Sequence, residues 1–133
     1  MLMPVTAVYA AVTALLLLFL SFQVSKYRLR YRQGLGTNED IGFQVAVRAH
    51  GNLVEYAPVA LILMGIGELN GVNVQCIYWV GLAFVGGRIL HAFGMFNGRG
   101  ERHWARVLGI LLTWVSMVVM AVLLIWNVVQ VQA

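Results

Sequence analysis

Charged side chains are scarce in this sequence of 133 residues, since Asp, Glu, Lys and Arg together make up only 11% of it. An ordinary soluble domain carries about 25% of these residues, so the shortage excludes that class. Hydrophobic residues make up 61%, and the polar segments between the apolar runs are too short to fold alone. The composition therefore predicts an integral membrane protein with one domain, residues 1–133.

Other absences exclude further classes of function. Cys76 is the single cysteine, which excludes an internal disulfide and with it quinone-coupled disulfide exchange. The sequence has neither a serine-nucleophile motif nor a glycine-rich phosphate loop. No metal site is expected, because His50 and His91 lack the spacing of a helical metal-binding pair and neighbouring arginines would repel a cation. The net charge of +4 is explained by membrane topology, so no nucleic-acid partner is expected.

Long apolar runs predict an all-α membrane bundle of four helices, near residues 4–32, 42–68, 73–97 and 102–130. The run Val5–Val24 has twenty uncharged residues, about the length that crosses the hydrocarbon core, and Val107–Val131 has twenty-five. The two middle helices cross only if polar halves, residues 43–55 and 88–96, are included. Positive charges follow the first run rather than precede it, so we expect a permanent anchor and not a cleaved signal peptide.

Basic residues lie in or beside two of the three loops: Lys26, Arg28, Arg30 and Arg32 at the first, and Arg99, Arg102 and Arg106 at the third. Cytoplasmic loops collect Lys and Arg, so both termini are predicted to face away from the cytoplasm. The polar halves of the second and third helices then lie near the cytoplasmic side. Most of the first basic loop is expected to contact lipid headgroups, with Arg28 as the exception.

Polar side chains inside the two middle spans form the candidate functional site: Arg48, His50, Asn52 and Glu55 in one span, and Arg88, His91 and Asn97 in the other. Such groups are costly in hydrocarbon unless they face a protein interior or a wet cavity. At 100° per residue, Arg48, Asn52 and Glu55 share one helical face, and Arg88 neighbours His91. Several guanidinium groups against one carboxylate predict an anionic ligand that also carries an amine.

Smaller patterns predict packing and depth. Polar or small stripes mark the first and fourth helices: Ser21, Ser25, Arg28 and Arg32 on one, and Arg102, Arg106, Gly109, Thr113 and Ser116 on the other. Close helix packing is expected at Gly81, Gly86, Gly87 and Gly94. Aromatic residues expected at the membrane interface are Tyr78, Trp79, Trp104 and Trp126.

Two other interpretations stay open at this point. Arg48, Glu55 and Arg88 could form an ion network that only fixes helix packing. A small four-helix multidrug exporter would need an unpaired carboxylate for proton exchange, whereas Glu55 has both arginines as available partners. Export is therefore the weaker alternative.

The segment Arg48–Pro58, RAHGNLVEYAP, resembles the second-helix signature of the MAPEG family, the membrane-associated proteins of eicosanoid and glutathione metabolism. Gly87-Arg88 followed by His91 is similar to the third-helix pattern of prostaglandin E synthase within that family, and the length, the four spans and the basic first loop match as well. The resemblance implies a homotrimer that binds glutathione between subunits near the cytoplasmic side. For a bacterial-type member it implies a location in the inner membrane.

The resemblance also implies a glutathione-binding set: Arg28, Arg48, Asn52, Glu55, Tyr56, Arg88 and His91. Glu55, with Asn52 beside it, would hold the ammonium group of glutathione. Arg48 and Arg28 would serve its carboxylates directly or by holding Glu55. Tyr56 and His91 would line the tripeptide.

A thiol needs activation, and in the family an arginine at the start of the fourth helix has this role. An adjacent guanidinium lowers the pKa of a thiol, so that the nucleophilic thiolate forms. Arg106 is the predicted catalytic residue, and Arg102, one turn earlier, is the competing candidate. The implied function is a glutathione transferase or peroxidase that detoxifies apolar electrophiles entering from the lipid.

Three positions depart from prostaglandin E synthase. Gly51, Met95 and Val107 stand where that enzyme has Arg, Tyr and Ser, and these losses count against prostaglandin isomerisation more than against glutathione binding. A non-catalytic member that binds lipid or glutathione is the alternative function within the family.

Overall fold

The computed structural model describes residues 2–132, with side chains described through residue 130, and contains four α-helices joined by short loops. These are α1 (Pro4–Tyr31), α2 (Ile41–Leu69), α3 (Val74–Asn97) and α4 (Trp104–Gln132). All four are long and apolar enough to cross a membrane. The predicted boundaries lie within two residues of these, and the predicted all-α membrane bundle is confirmed.

Side chains in the loops fix where three of the helices begin. Asp40, Asn73 and His103 each accept a hydrogen bond from the backbone N–H two residues later, at 2.7, 2.8 and 3.2 Å. These bonds satisfy N–H groups that have no partner within the helix. Because His103 takes this position, α4 starts two residues later than predicted and Arg102 lies in the loop.

Asp40 also joins the first loop to the end of α1. The hydroxyl of Tyr31 donates a hydrogen bond to the second carboxylate oxygen of Asp40. This bond, supported by the backbone N–H of Gly42, holds the pKa of the Asp40 carboxyl below its usual range. The last residue of the first loop is therefore held against the C-terminal end of α1.

The N-terminus of α1 is capped by a residue from the C-terminal end of α2. The α1 helix has no side-chain cap of its own. Instead, the Glu68 carboxylate accepts hydrogen bonds from the backbone N–H groups of Val5 and Thr6, at 2.9 and 2.7 Å. A carboxylate is favourable there because the helix dipole places partial positive charge at that end.

The helices α3 and α4 form the most extensive helix pair, and glycines bring their backbones together. A Cβ added at Gly87 would lie 2.8 Å from the carbonyl oxygen of Gly109. A Cβ added at Gly94 would overlap the backbone nitrogen of Arg106. The contact at Gly94 therefore fixes the position of Arg106 against α3.

Three of the four glycines predicted to permit close packing do so. Gly81 faces the ring of Tyr9, and Gly87 and Gly94 face α4. Gly86 has no such contact within the described residues, since a Cβ there would meet nothing within 4 Å. Gly86 lies one position from Gly87 and so points about 100° away from the α4 contact.

The other sequence patterns have mixed outcomes. On α4, Gly109, Thr113 and Ser116 are buried, as the small-residue stripe predicts, but Arg102 is outside the helix. All four predicted interfacial aromatic residues are exposed: Tyr78, Trp79, Trp104 and Trp126.

Candidate functional site

A buried polar cluster lies between α2 and α3. Arg88 is only 3% exposed, and its Nη1 donates a hydrogen bond to Oδ1 of Asn52 at 2.8 Å. The guanidinium carbon lies 5.4 Å from the ring centroid of Tyr56, close enough for a cation–π interaction. The other two nitrogens, Nε and Nη2, are buried and find no partner among the described residues. Buried donors without partners are costly, so this guanidinium has capacity for an electron-rich ligand.

An ion pair runs along the neighbouring face of α2. Arg48 Nη1 lies 2.8 Å from Glu55 Oε1, and Nη2 donates to Oε2 at 3.4 Å. The two residues are seven apart, or about two helical turns, so the predicted shared face is confirmed for them. The expectation that Arg88 is also available to Glu55 is wrong, because Asn52 points inward and takes the Arg88 guanidinium while Glu55 points outward.

Both side chains of the ion pair are exposed on the surface of the single chain. The side chains of Arg48 and Glu55 are 58% and 51% exposed. Glu55 lies near the middle of the 29-residue α2, about 21 Å from its first residue at about 1.5 Å per residue. Charged groups at that depth are costly in hydrocarbon unless protein or a wet cavity covers them.

A cavity of about 380 Å³ opens at the end of the bundle where α2 and α4 begin and α3 ends. Its lining residues are Ile41, Gln44, Val45, Arg48, Met95, Arg99, Gly100, Glu101 and Arg106. The volume falls within the range of about 300–1,000 Å³ that is typical of small-ligand sites. Three guanidinium groups against one carboxylate favour an anionic ligand in this cavity.

Arg106 on the cavity lining and the buried His91 lie on α4 and α3, the two helices that pack most extensively. Arg106 lies in the first turn of α4, and its Nη1 donates to the carbonyl oxygen of Gly100 at 3.1 Å. His91 is buried on α3, and a Cβ added at Gly109 of α4 would lie 2.5 Å from its backbone nitrogen. His91 therefore packs against α4 about one helical turn beyond Arg106.

Two of the predicted site residues lie elsewhere in the chain. Arg102 lines a separate surface groove with Trp104 and apolar residues of α4. Arg28 donates hydrogen bonds to carbonyl oxygens of the first loop, the shortest at 2.8 Å to Gly34, and its guanidinium lies over the Phe43 ring. Of the nine predicted residues, Arg88 contacts Asn52 and Tyr56, and Arg48 pairs with Glu55. Arg48 and Arg106 line the same cavity, and His91 is buried on α3.

Sequence reasoning missed one contact to this cluster. Trp114 Nε1 donates a hydrogen bond to the hydroxyl of Tyr56 at 3.1 Å, joining α4 to α2. The signal was a tryptophan about 15 Å into α4, at about 1.5 Å per residue, instead of at the interface where tryptophan is enriched.

These features define the chain as an integral membrane protein of the four-helix type, with a polar site at one end of the bundle. The profile of the MAPEG family matches residues 6–126. The Inner membrane protein YecN of Escherichia coli strain K12 is 38% identical over 122 residues, covering 92% of this chain and 91% of the relative. The YecN protein of Escherichia coli O6:H1 strain CFT073 matches equally well. The chain therefore belongs to the MAPEG family, and the resemblance noted in its sequence is confirmed.

Proposed function

We propose that this chain is a glutathione-dependent membrane transferase that conjugates glutathione to apolar electrophiles entering from the lipid. The observation that carries the proposal is the buried Arg88 guanidinium, two of whose nitrogens have no partner among the described residues. The same chain has an arginine-lined cavity and an accessible carboxylate. Such a set suits a ligand with several negative charges and one amine.

Glutathione has this charge pattern, since it carries two carboxylates, one ammonium and one thiol. Glu55 is the available acidic partner for the ammonium group. The free donors of Arg88, together with Arg48, suit its carboxylates, because guanidinium groups bind carboxylates through charge-assisted hydrogen bonds. Asn52 and Tyr56 hold Arg88 in place for this contact.

Arg106 is the residue we assign to thiol activation. Its place on the cavity lining supports it over Arg102, which lines another surface. A guanidinium near the sulfur favours the thiolate, and the N-terminal end of α4 adds a favourable field for an anion. The thiolate attacks the electrophilic carbon, the S–C bond forms, and the leaving group departs with its electron pair.

The exposed ion pair supports an assembly in which another copy of the chain covers it. Arg48 and Glu55 would otherwise face hydrocarbon, which is costly. We therefore propose the homotrimer that the family resemblance implies, with the site between subunits. Native mass spectrometry of the detergent-solubilised protein measures the number of copies directly, and a monomer at all concentrations would contradict this assembly.

The proposed location is a bacterial inner membrane, as in the name of the YecN relatives, with both termini away from the cytoplasm. The basic residues beside the first and third loops support this orientation. A reporter fused after Ala133 that is active only in the cytoplasm would reverse it and move the site to the opposite leaflet.

The deciding experiment measures glutathione binding to the purified protein by calorimetry and turnover with chlorodinitrobenzene. Binding with thiol consumption is the expected result. Binding without consumption would favour the non-catalytic alternative, in which the chain only presents glutathione or lipid. Absence of binding in a correctly assembled protein would overturn the proposed function.

A further inference from the structure

Trp114 lies on α4, away from the arginine-lined cavity, yet it has a polar contact with the buried cluster. Its indole nitrogen donates to the Tyr56 hydroxyl at 3.1 Å, while half of its surface remains exposed. The ring of Tyr56 in turn lies 5.4 Å from the Arg88 guanidinium, which binds Asn52. A chain of contacts therefore runs from Trp114 to the guanidinium with free donors.

The chemistry of the two side chains fixes the direction of the hydrogen bond. An indole nitrogen donates and cannot accept, whereas a phenolic hydroxyl does both. Tyr56 must therefore accept from Trp114, and its own proton points elsewhere. No hydrogen bond among the side chains described takes up that proton, so it is available to an acceptor from outside the chain.

We propose that Trp114 is a positioning residue, which holds the Tyr56 hydroxyl so that its proton is presented to a negatively charged or electron-rich atom of the ligand. The inference rests on the proposed function for the identity of that ligand, glutathione. It adds that α4 contributes to ligand binding twice: through Arg106 on the cavity lining, and through Trp114 about two turns further along the helix.

The first test examines the contact without ligand. Replacing Trp79, Trp104 and Trp126 by Phe leaves Trp114 as the single tryptophan, and the ultraviolet resonance Raman band of its N–H reports hydrogen bonding. Tyr56→Phe is expected to shift this band to the position of a free indole. Tyr78→Phe, at a tyrosine on α3, is the matched control and should not move it. An unchanged band in Tyr56→Phe would overturn the contact.

The second test is a double-mutant cycle on glutathione affinity. Trp114→Phe keeps an aromatic ring but removes the donor, and Tyr56→Phe removes the hydroxyl. Each is expected to weaken glutathione binding about tenfold, the scale of one hydrogen bond to a charged group. If Trp114 acts through Tyr56, the double variant is no weaker than Tyr56→Phe alone, whereas independent effects would multiply. Trp126→Phe, also on the exposed surface of α4, should leave affinity unchanged.

The outcomes separate this inference from the proposed function. Full affinity in Trp114→Phe, or multiplying effects in the double variant, would overturn the positioning role while the wild type still binds glutathione. A wild type that does not bind glutathione would overturn the proposed function and the ligand part of this inference together, and the Raman shift would then decide the contact between the two side chains.

Discussion

The helix α2 carries one carboxylate in its middle and one near its end, and the two have opposite surroundings. Glu68 accepts two backbone N–H groups of α1 and so satisfies its charge within the chain. Glu55 pairs with a single arginine and remains half exposed at a depth where hydrocarbon would surround it. The comparison indicates that the Glu68 carboxylate holds α1 against α2, whereas the Glu55 carboxylate stays accessible to a ligand or to another copy of the chain.

The arginines give the same contrast. Arg28 donates hydrogen bonds to loop carbonyl groups, whereas two buried donors of Arg88 have no partner among the described residues. Buried polar groups are normally hydrogen-bonded, so two buried donors without a described partner point to a ligand more strongly than the number of arginines does.

The strongest test of this comparison replaces the carboxylate in the middle of α2 with an amide. Glu55→Gln is expected to weaken glutathione binding at least about 100-fold, since losing one partner of an ion pair that the proposed assembly would bury costs about 3–5 kcal/mol. Calorimetry measures the affinity, and extraction from the membrane fraction checks insertion. Wild-type affinity in this variant would remove Glu55 from the site, and loss of assembly would favour the purely structural ion network.

A second pair of variants tests the two arginines near the start of α4. Arg106→Ala should bind glutathione several-fold more weakly but lose the ultraviolet absorbance of bound thiolate and most of its turnover, because the guanidinium stabilises the thiolate form. Arg102→Ala, in the separate groove, should keep both. An active Arg106→Ala beside an inactive Arg102→Ala would transfer the catalytic role to Arg102.

Two glycines of α3 test how α4 is held. Gly94→Ala places a methyl group against the backbone of Arg106 and is expected to cost about 1–3 kcal/mol in the free energy of unfolding, as overpacking does. Gly86→Ala is the matched control, because its Cβ meets nothing within 4 Å and alanine favours a helix. Thermal unfolding in detergent measures both. Equal stability of the two variants would contradict the close α3–α4 approach.

The smallest effect is expected for Glu68, near the C-terminal end of α2. Glu68→Gln keeps one oxygen acceptor but turns an amide group towards the second N–H, so it should cost about 1 kcal/mol of stability, as the loss of a helix cap does. Glutathione affinity should stay within about twofold of wild type. A large loss of affinity with unchanged stability would erase the distinction between the two carboxylates.

Features that repeat along a single helix were predictable from the sequence. The four spans follow from apolar runs, and the Arg48–Glu55 pair follows from residues seven apart on one helix. The segment Arg48–Pro58 was sufficient to indicate the family. These are local properties, because the helical repeat alone fixes which side chains share a face and how far apart they are.

Contacts between helices needed the tertiary structure. Asn52, not Glu55, accepts the hydrogen bond from Arg88. Glu68 caps a helix more than sixty residues away, and Trp114 donates a hydrogen bond to Tyr56. Only the fold places Arg106 on the cavity and Arg102 outside it. The sequence by itself determined the helices and the polar face of each one, but the rotation and axial shift of one helix against another come from side-chain packing. A rotation of about 60° is enough to exchange Asn52 for Glu55 as the residue that faces α3.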